Sequence, residues 1–436
     1  MEEHFVSTAK KLLFNIIEEM EKISSLFVMN PEKDFTRKRK IDFGTFMKIT
    51  LGMTGRSMNK ELLDYFDFSK DAPGVSAYNQ QRAKVLPEAF EFLFHEFTSV
   101  VESNKLFNGY RLLACDGSNL TIASNPNDAE TYVNSNQYEG GVNRLHLNAF
   151  YDVMNRIYVD ATIQNWANKN EFRACAQMID RSKFDENVIL IADRGYENYN
   201  IFAHAEEKGW KYIIRVKDKG SNGILSGLHI SEEGAFDKII SFRLTRSQKK
   251  VKLTNGYKFM PTCQTFDYVP VGSKIDYPIL FRVVRFLITD NTYETIITNL
   301  DGNEFTPNII KELYHLRWGI ETSFRELKYA VGLSNFHAKK TNYIKTRNFC
   351  KISIVQFLRI NNNKSYCETN KKAKIYQVNF TLAIFICREY LKNKRALSPP
   401  DIELLILRNV LPVRPGRKDP RKVKIQKTVS FLYRIA

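Results

Sequence analysis

The stretch Val188-Ile-Leu-Ile-Ala-Asp193-Arg-Gly-Tyr196 is a short apolar run that ends in an aspartate and a glycine-containing turn. A second run of this kind, Arg111-Leu-Leu-Ala-Cys-Asp116, is followed by Gly117 and Ser118. Runs of this length, bounded by turn residues, are typical of buried strands. An aspartate at a strand end sits on a rigid scaffold and reaches solvent, where it can bind a cation that prefers oxygen. An aspartate that only starts a turn is the alternative.

The residues around these two runs predict an alternation of strands and helices. The strands expected besides the two runs are Leu145 to Asp152, Ile157 to Ile163 and Lys211 to Val216, and the helices are Glu171 to Ser182 and Tyr199 to Lys208. Residues 153–156 form the expected hairpin turn between the first two of these strands. The predicted order is β-β-β-α-β-α-β, which indicates an α/β fold.

The flanking parts of the chain have different patterns. Apolar residues at helical spacing predict helices in Phe5 to Phe27, Phe43 to Leu51 and Leu86 to Phe97. From Gly220 to Leu300, alternating stretches such as Lys250 to Leu253 and Ile279 to Ile288 predict an inserted β-rich region, and helices resume at Asn308. The expected division is 1–105, 106–219, 220–300, 301–365 and 366–436.

The charge balance indicates a polyanionic partner. Lys and Arg number 65 against 48 Asp and Glu, which leaves a net charge of +17. Phosphate contacts that release counterions make such a surplus useful for binding DNA or RNA, although a general basic shift in an AT-rich genome is the alternative. The basic stretch from Arg414 to Lys427 fits contact with a nucleic-acid backbone or a solvated tail.

Cysteine usage and hydropathy narrow the class of protein. The six cysteines include no C-x-x-C pair and no zinc spacing, so reduced, buried thiols are expected. No run approaches the roughly 20 apolar residues needed to cross a bilayer, and the acidic start does not resemble a signal peptide. We therefore expect a cytosolic protein that does not act in a membrane.

A third element, Tyr314-His-Leu-Arg317-Trp-Gly-Ile-Glu321-Thr-Ser-Phe-Arg-Glu-Leu-Lys328, has the pattern of an amphipathic helix. At about 100° per residue, Tyr314, Arg317, Glu321 and Lys328 fall within roughly 60° of arc, and Glu326 points about 150° away from it. The adjacent apolar stripe, expected to pack on the core, consists of Leu313, Leu316, Ile320, Phe324, Leu327 and Val331. This geometry favours Glu321 as the functional acid. A helix with an ordinary i,i+4 ion pair between Arg317 and Glu321 is the alternative.

These motifs resemble the IS4-type DDE transposases of bacterial insertion sequences. The pattern Tyr-x2-Arg-x3-Glu-x6-Lys of that family's third catalytic block is matched in full by Tyr314, Arg317, Glu321 and Lys328. The second block resembles residues 188–196, and the first resembles residues 112–118. The similarity covers about residues 110–340.

The resemblance implies a fold and an organisation. It implies an RNase H-like catalytic core interrupted by a β-rich insertion, with a helical N-terminal DNA-binding domain and a helical, basic C-terminal segment for dimerisation. In a related transposase a Trp of the insertion helps to hold a flipped base. The three Trp residues here lie outside the insertion, so Tyr257, Phe259 or Phe266 would take that role.

The resemblance also implies cut-and-paste DNA transposition. Asp116, Asp193 and Glu321 would hold two Mg²⁺ ions, with Mn²⁺ able to substitute, so that first water and then a freed 3′ hydroxyl attacks a phosphodiester. Arg317 and Lys328 would clamp phosphates. Tyr314 would add a hydrogen bond or a stacking surface, and Arg325 and Arg194 are further DNA-contact candidates.

The partners that the resemblance implies are the terminal inverted repeats of an insertion sequence and a target DNA, bound by a homodimer in a synaptic complex. The place of action would be the bacterial cytoplasm, at the nucleoid. Two other functions remain open: a catalytically inactive DNA-binding protein, and an RNase H-like nuclease that cleaves but never joins.

Weaker candidates lie elsewhere. Arg37-Lys-Arg-Lys40 and the predicted helix with Gln80, Gln81, Arg82 and Lys84 are candidates for reading the transposon ends, without a clear helix-turn-helix signature. His146, His204, His315 and His337 have no metal spacing and no Ser or Cys partner, so they are interpreted as packing or surface residues.

Overall fold

The computed structural model describes residues 5–101, 104–134, 141–184, 187–228, 230, 233–289, 292–331, 340–362, 376–392 and 402–412. The basic stretch from Arg414 to Lys427 and His337 lie outside these residues. Among the helices described, none is long and apolar enough to cross a membrane.

The described secondary structure of residues 5–99 is mainly helical, as predicted. The α-helices within the described residues are α1 (Phe5–Lys22), α2 (Phe43–Gly52), α3 (Met58–Tyr65), α4 (Val75–Arg82), α5 (Glu88–Ser99), α6 (Glu171–Arg181), α7 (Tyr199–Glu207), α8 (Gln248–Leu253), α9 (Pro307–His315), α10 (Trp318–Tyr329), α11 (Thr341–Asn362), α12 (Phe380–Lys392) and α13 (Ile402–Arg408). Helix α1 ends earlier than expected, and residues 24–27 form a 3-10 turn. The buried faces of α1, α2 and α5 share one hydrophobic core with α10, α11 and α12.

The strands form one large mixed sheet and one small one. They are β1 (Tyr110–Ile122), β2 (Tyr132–Val133), β3 (Val142–Asp152), β4 (Ile157–Asn165), β5 (Asn187–Ala192), β6 (Lys211–Val216), β7 (Phe236–Thr245), β8 (Tyr257–Phe259), β9 (Tyr277–Thr289), β10 (Thr292–Thr298), β11 (Tyr376–Gln377) and β12 (Leu411–Pro412). The large sheet has the order β2-β3-β1-β5-β6-β10-β9-β7-β8, and β4 pairs with β3. The predicted α/β fold and its β-β-β-α-β-α-β order are confirmed, with the short β2 added.

The part of the sheet that holds the two aspartates combines antiparallel and parallel pairing. Strands β4, β3 and β1 are antiparallel neighbours, whereas β1, β5 and β6 are parallel. Helices α6 and α7 connect β4 to β5 and β5 to β6, and their apolar sides pack on one face of the sheet. Helices α9 and α10 pack on the opposite face. The C-terminal ends of β5 and β6, on the side of Asp193, therefore lie between two layers of helices.

The segment from 220 to 300 is rich in strands, but it does not form a sheet of its own. Strand β10 pairs antiparallel with β6, and β9, β7 and β8 follow, so the segment extends the central sheet. The expectation of an extended stretch from Lys250 to Leu253 is wrong, because these residues belong to α8. The hydroxyl of Ser247 accepts a hydrogen bond from the backbone N–H of Lys250 and caps this helix.

The motif helix is broken in two. Residues 316–317 form a tight turn between α9 and α10, where the N–H groups of Leu316 and Arg317 bond to carbonyls three residues back. The continuous helix of the sequence prediction is therefore wrong. One consequence is that Leu316, expected in the apolar stripe, is 39% exposed, whereas the other members are buried.

Candidate active site

The two aspartates lie side by side at one edge of the sheet. The last paired residues of β1 and β5 are Cys115 and Ala192, and Asp116 and Asp193 are the next residues of each chain segment. Strands of a parallel pair lie about 4.8 Å apart, so the two Cα positions are close. The alternation of side chains along a strand places both carboxylates on the face covered by α9 and α10, because Ala114 and Ile191 belong to the cores on that face.

The expectation that β1 ends at Asp116 is wrong. Strand β1 continues to Ile122 because its pairing with β3 continues, and only the pairing with β5 stops at Cys115. Gly117 does not form a turn. A Cβ atom at this position would lie 2.5 Å from Nε2 of His146 and 3.0 Å from a carboxylate oxygen of Glu171. The glycine is thus explained by the close approach of these side chains.

Asp193 has a different local role. It precedes the 3-10 turn of residues 194–196, and its Oδ1 accepts a 2.6 Å hydrogen bond from the backbone N–H of Arg194. This hydrogen bond fixes one carboxylate oxygen at the start of the turn. The side chain of Asp193 remains 32% exposed, so the carboxylate is accessible from solvent.

Glu321 comes from helix α10, which contacts β1 and whose buried Ile320 and Phe324 belong to the same core as Ala114 of that strand. Arg317 joins it to the sheet: Nη2 of Arg317 donates a 2.6 Å hydrogen bond to Oε1 of Glu321, and Nη1 lies 3.9 Å from Oδ2 of Asp116. Arg317 is 4% exposed, so this contact lies largely out of water. One buried guanidinium therefore holds the helix carboxylate and the strand carboxylate together.

Arg215 is a member of the site that the sequence analysis missed. Its Nη2 lies 2.6 Å from Oδ1 of Asp193, and its Nη1 donates a 3.1 Å hydrogen bond to Oε1 of Glu294. The register explains the first contact, because Ala192 pairs with Ile214, so Asp193 and Arg215 follow on neighbouring strands. A charged residue inside the apolar strand from Lys211 to Val216 was the available signal.

Burial and charge perturb the protonation of the site. Burial raises the pKa of Asp116 to about 6, the nearby carboxylates of Glu321 and Asp193 raise it as well, and the Gly117 N–H and Arg317 lower it. Burial also lowers the pKa of the Lys328 ammonium, which the charge of Asp116 partly offsets. These interactions place Asp193, Glu321 and Lys328 within electrostatic reach of Asp116. Such perturbation is typical of functional sites.

The donor chemistry fits a divalent cation, but the acids are held by arginines. Three carboxylates supply the hard oxygen ligands that Mg²⁺ prefers. The pKa of Asp116 is raised mainly by burial, and the charges of Glu321 and Asp193 add to this effect. In the part of the chain that the structure describes, no group of three or more Asp, Glu, His or Cys side chains is arranged around a common metal position. Glu321 and Asp193 are instead ion-paired with Arg317 and Arg215.

The remaining motif residues lie around this cluster. Tyr314 is 5% exposed, and its hydroxyl has no hydrogen-bond partner among the described residues. Burial raises the pKa of this hydroxyl to about 12. Arg325, one turn beyond Glu321, and Arg194 are exposed. Glu326 faces away from the cluster, where its carboxylate accepts a hydrogen bond from Arg359 of α11.

The aromatic residues that the sequence analysis considered for holding a flipped base do not lie beside Asp193. Tyr257 and Phe259 lie on β8, which pairs with residues 243–245 of β7 at the sheet edge opposite to Asp193. Phe266 is buried in the core. Tyr293 of β10 lies at the same edge as Asp193, since Thr295 pairs with Val216, and the guanidinium carbon of Arg285 is 3.8 Å from the centre of its ring.

The structure also shows where the weaker DNA-contact candidates and the histidines lie. Gln81 and Arg82 are buried, whereas residues 37–40 are exposed. His146 and His204 are buried packing residues, as predicted, and each is hydrogen-bonded: His204 lies between the carboxylates of Asp180 and Asp267. His315 is at the surface.

The cysteines that the structure describes lie mostly inside the protein, as expected, and Cys367 lies outside the described residues. Cys115, Cys175, Cys350 and Cys387 are free, buried thiols. Cys263 is also free but is exposed, contrary to the expectation.

The comparison with protein families agrees with the site. Residues 107–355, more than half of the chain, match the family of the transposase DDE domain. The chain therefore belongs to the family of DDE transposases. A cryo-electron microscopy structure of a piggyBac transposase synaptic complex with hairpin DNA is similar, with a TM-score of 0.47 and 10% sequence identity over 96% of this chain and 88% of that chain. Curated protein sequences gave no match.

Proposed function

We propose that this protein is a cut-and-paste DNA transposase of the IS4 type, which hydrolyses and rejoins phosphodiester bonds at the inverted-repeat ends of an insertion sequence. The observation that carries the proposal is the meeting of Asp116, Asp193 and Glu321. Two parallel strands and one helix bring these acids within electrostatic reach, and Arg317 links the helix to the sheet.

The sheet supports an RNase H-like core in this proposal. Three antiparallel strands, β4, β3 and β1, are followed by two parallel ones, β5 and β6, with helices on both faces. Residues 106–219 and 301–365 would form this core. The strands of residues 220–300 would lengthen it beyond β6 and carry Glu294 and Tyr293 to the catalytic edge.

The proposed metal ligands are Asp116, Asp193 and Glu321. Two Mg²⁺ ions, or Mn²⁺ in their place, would stabilise the charge on the attacking and the leaving oxygen. Arg317 and Arg215 would compete with the cation for these carboxylates, because each guanidinium holds one carboxylate oxygen, Oε1 of Glu321 and Oδ1 of Asp193. A DNA phosphate is the natural new partner for both guanidinium groups.

The other motif residues would bind the DNA at this edge. Lys328 lies within the field of Asp116 and would place its ammonium against a phosphate close to the cut. The unpartnered, buried hydroxyl of Tyr314 would donate its hydrogen bond to the same DNA. Arg325 and Arg194, both exposed, would contact the backbone further out. A homodimer would bring two such DNA ends together.

A strand-transfer assay tests the proposal. Duplex DNA that carries the terminal inverted repeats flanking the gene is incubated with the protein, a target plasmid and Mg²⁺. Cleavage at the repeat followed by joining to the plasmid is the expected result. Cleavage without joining would indicate a nuclease, and binding without cleavage would indicate an inactive DNA-binding protein.

Matched variants tie the activity to the site. Glu321→Gln is expected to lower cleavage by about a hundredfold or more, as losses of key active-site charges do. Glu312→Gln, an exposed position on the neighbouring helix α9, is expected to keep wild-type cleavage. Full cleavage by Glu321→Gln would show that the assigned site is wrong.

A further inference from the structure

A ribbon of strands projects beyond the edge where the acids lie. After Asp116, β1 continues for residues 117–122, and its pairing with β3 extends to the pair of Ile122 and Asn143. Strand β4 follows β3 along this ribbon to Asn165. Strand β5 has already ended at Ala192, so six further residues of β1, about 20 Å, extend past the acids.

A cavity of about 590 Å³ lies far from this ribbon, at residues 246–274, but one of about 570 Å³ lies on its outer edge. The second cavity is formed by the end of β4, the 3-10 turn of residues 166–168, helix α6 and the start of α11. The side chains with amide groups that line it are Gln164, Asn165, Asn168, Asn170 and Gln177, and the cations are Lys169, Arg173 and Lys345. No carboxylate lines it, but Glu171 pairs with the lining Lys169, and Glu130 accepts a hydrogen bond from the lining Asn165.

Part of this lining is a fixed floor. The backbone N–H of Asn170 donates to Oε1 of Gln164, and Nε2 of Gln164 donates back to the carbonyl of Asn170. Nδ2 of Asn148 donates to the same Oε1, at 3.1 Å, which anchors the floor to β3. Lys169 lies 5.2 Å from the centre of the Trp166 ring, beside this floor.

Other lining groups point outward. Arg173 and Gln177 are exposed and four residues apart on α6, so they share one helix face. Asn168 is exposed in the 3-10 turn. These are an arginine and two amides, the side chains that contact phosphates and the edges of guanine and adenine in DNA.

The register of the strands gives the distance between the cavity and Gly117, the residue next to Asp116. Gly117 pairs with Asn148, and Asn148 pairs with Thr162 at the border of the cavity. Two steps between strands are about 10 Å, and the two further residues to Gln164 add about 7 Å. At 3.4 Å per base pair, this in-plane span from Gly117 to Gln164 corresponds to about three to five base pairs. Arg173 and Gln177 lie on α6, on the face of the sheet opposite to the acids, so a duplex that contacts both runs past the edge strand β4.

We propose that this cavity binds the duplex about three to five base pairs from the phosphate that is cut, with Arg173 and Lys345 on phosphates and Gln177 and Asn168 on base edges. The site gives the protein a contact that reads sequence beside the catalytic acids. The inference rests on the proposed function, because it requires that the DNA be cut at the edge formed by Asp116 and Asp193.

Disulfide cross-linking locates the contact. In a chain whose exposed Cys263 is replaced by Ser, Gln177→Cys is combined with duplexes that carry a thiol-tethered base at single positions on either side of the cut. Cross-links are expected at about three to five base pairs from the cut. The side of the cut on which the cross-linked bases lie shows whether the cavity binds the end of the transposon or the flanking DNA.

A reference variant separates the inference from the proposed function. Arg194→Cys, beside Asp193, is expected to cross-link next to the cut. If Arg194→Cys cross-links and Gln177→Cys does so at no position, the cavity does not bind DNA and the inference is overturned. If neither cross-links and the repeat DNA is not bound, the proposed function fails, and the inference falls with it.

Charge and amide variants test the two kinds of contact. Arg173→Ala is expected to weaken binding by about the same factor for all sequences and to reduce the salt slope by about one, whereas Lys183→Ala, an exposed lysine just beyond α6, is expected to change neither. Gln177→Ala is expected to relax the base preference at one position by about fivefold or more. Unchanged salt slope and base preference in both cavity variants would overturn the proposal.

Discussion

The guanidinium of Arg215 lies 2.6 Å from the carboxylate of Asp193, on the neighbouring parallel strand. The same guanidinium donates to Glu294 of β10. A cationic side chain therefore occupies one of the proposed ligands and connects the catalytic edge to the strands that extend the sheet. In the proposed mechanism this ion pair competes with a metal ion for Asp193.

Removing Arg215 is expected to ease metal binding in the absence of DNA. In Arg215→Gln, Mn²⁺ no longer has to compete with an arginine for Asp193. The Mn²⁺ concentration at half-saturation is therefore expected to fall about fivefold, which is equivalent to about 1 kcal/mol for a partly exposed ion pair. A calorimetric titration measures it. Arg243→Gln, exposed at the opposite sheet edge, is the control. Unchanged or weaker binding in Arg215→Gln would contradict the competition.

Lys328 is expected to contribute a phosphate contact. Because its ammonium lies in the field of Asp116, Lys328→Ala is expected to weaken binding of the repeat DNA by about tenfold and to lower the salt slope by about one. Binding measured over a range of salt concentrations gives both values. The exposed Lys33→Ala serves as the control, and an equal loss in both variants would show only the effect of net charge.

The location of Tyr293 leads to a prediction about the aromatic residues. Tyr293→Ala is expected to reduce cleavage of the repeat DNA, and Tyr293→Trp to restore it, because a ring at the catalytic edge can stack on a base. Tyr257→Ala is expected to leave cleavage unchanged, since β8 lies at the opposite edge. A larger loss from Tyr257→Ala than from Tyr293→Ala would contradict this assignment.

The half-buried carboxylate of Glu206, in helix α7, is expected to make the stability of the protein depend on pH. Burial raises the pKa of Glu206, whose carboxylate accepts a hydrogen bond from Tyr212 of β6, to about 7. The folded protein binds this proton more tightly than the unfolded chain does. The contribution of Glu206 to the free energy of unfolding is therefore complete below about pH 4.5 and is lost as the pH rises through 7. After allowance for solvent screening it amounts to about 1 kcal/mol.

Urea unfolding at several pH values checks this prediction. Between pH 4.5 and 7 the free energy of unfolding of the wild type is expected to fall relative to that of Glu206→Gln. Glu207→Gln, at the exposed neighbouring position, is the control and should follow the wild type. Parallel curves for wild type and Glu206→Gln would contradict the raised pKa.

Much of the fold could be predicted from the sequence because its strands are apolar and have a local pattern. The runs that end at Asp116 and Asp193 were predicted as strands, and their parallel pairing places the two acids together. The extent of β1 was not predictable, because its continuation after Gly117 depends on pairing with β3. The apparent turn signal of Asp-Gly reflects the space taken by His146 and Glu171.

The candidate site was only partly predictable for a similar reason. The helical spacing selected Glu321 and Arg317, which are local neighbours on one helix face. Arg215 and Glu294 reach the site only through the register of β6 and β10, which no short-range pattern encodes. The break between α9 and α10 was hidden as well, since a single tight turn leaves the apolar spacing almost unchanged.

A change of metal specificity tests the central claim, that Asp193 binds the catalytic metal ion. Asp193→Cys replaces a hard oxygen ligand with a softer sulfur ligand, which Mg²⁺ binds poorly and Mn²⁺ tolerates better. We predict that Asp193→Cys loses cleavage of the repeat DNA in Mg²⁺ and regains a substantial part of it in Mn²⁺, while Glu312→Cys is unaffected in both. Wild-type cleavage by Asp193→Cys in Mg²⁺ would contradict the account.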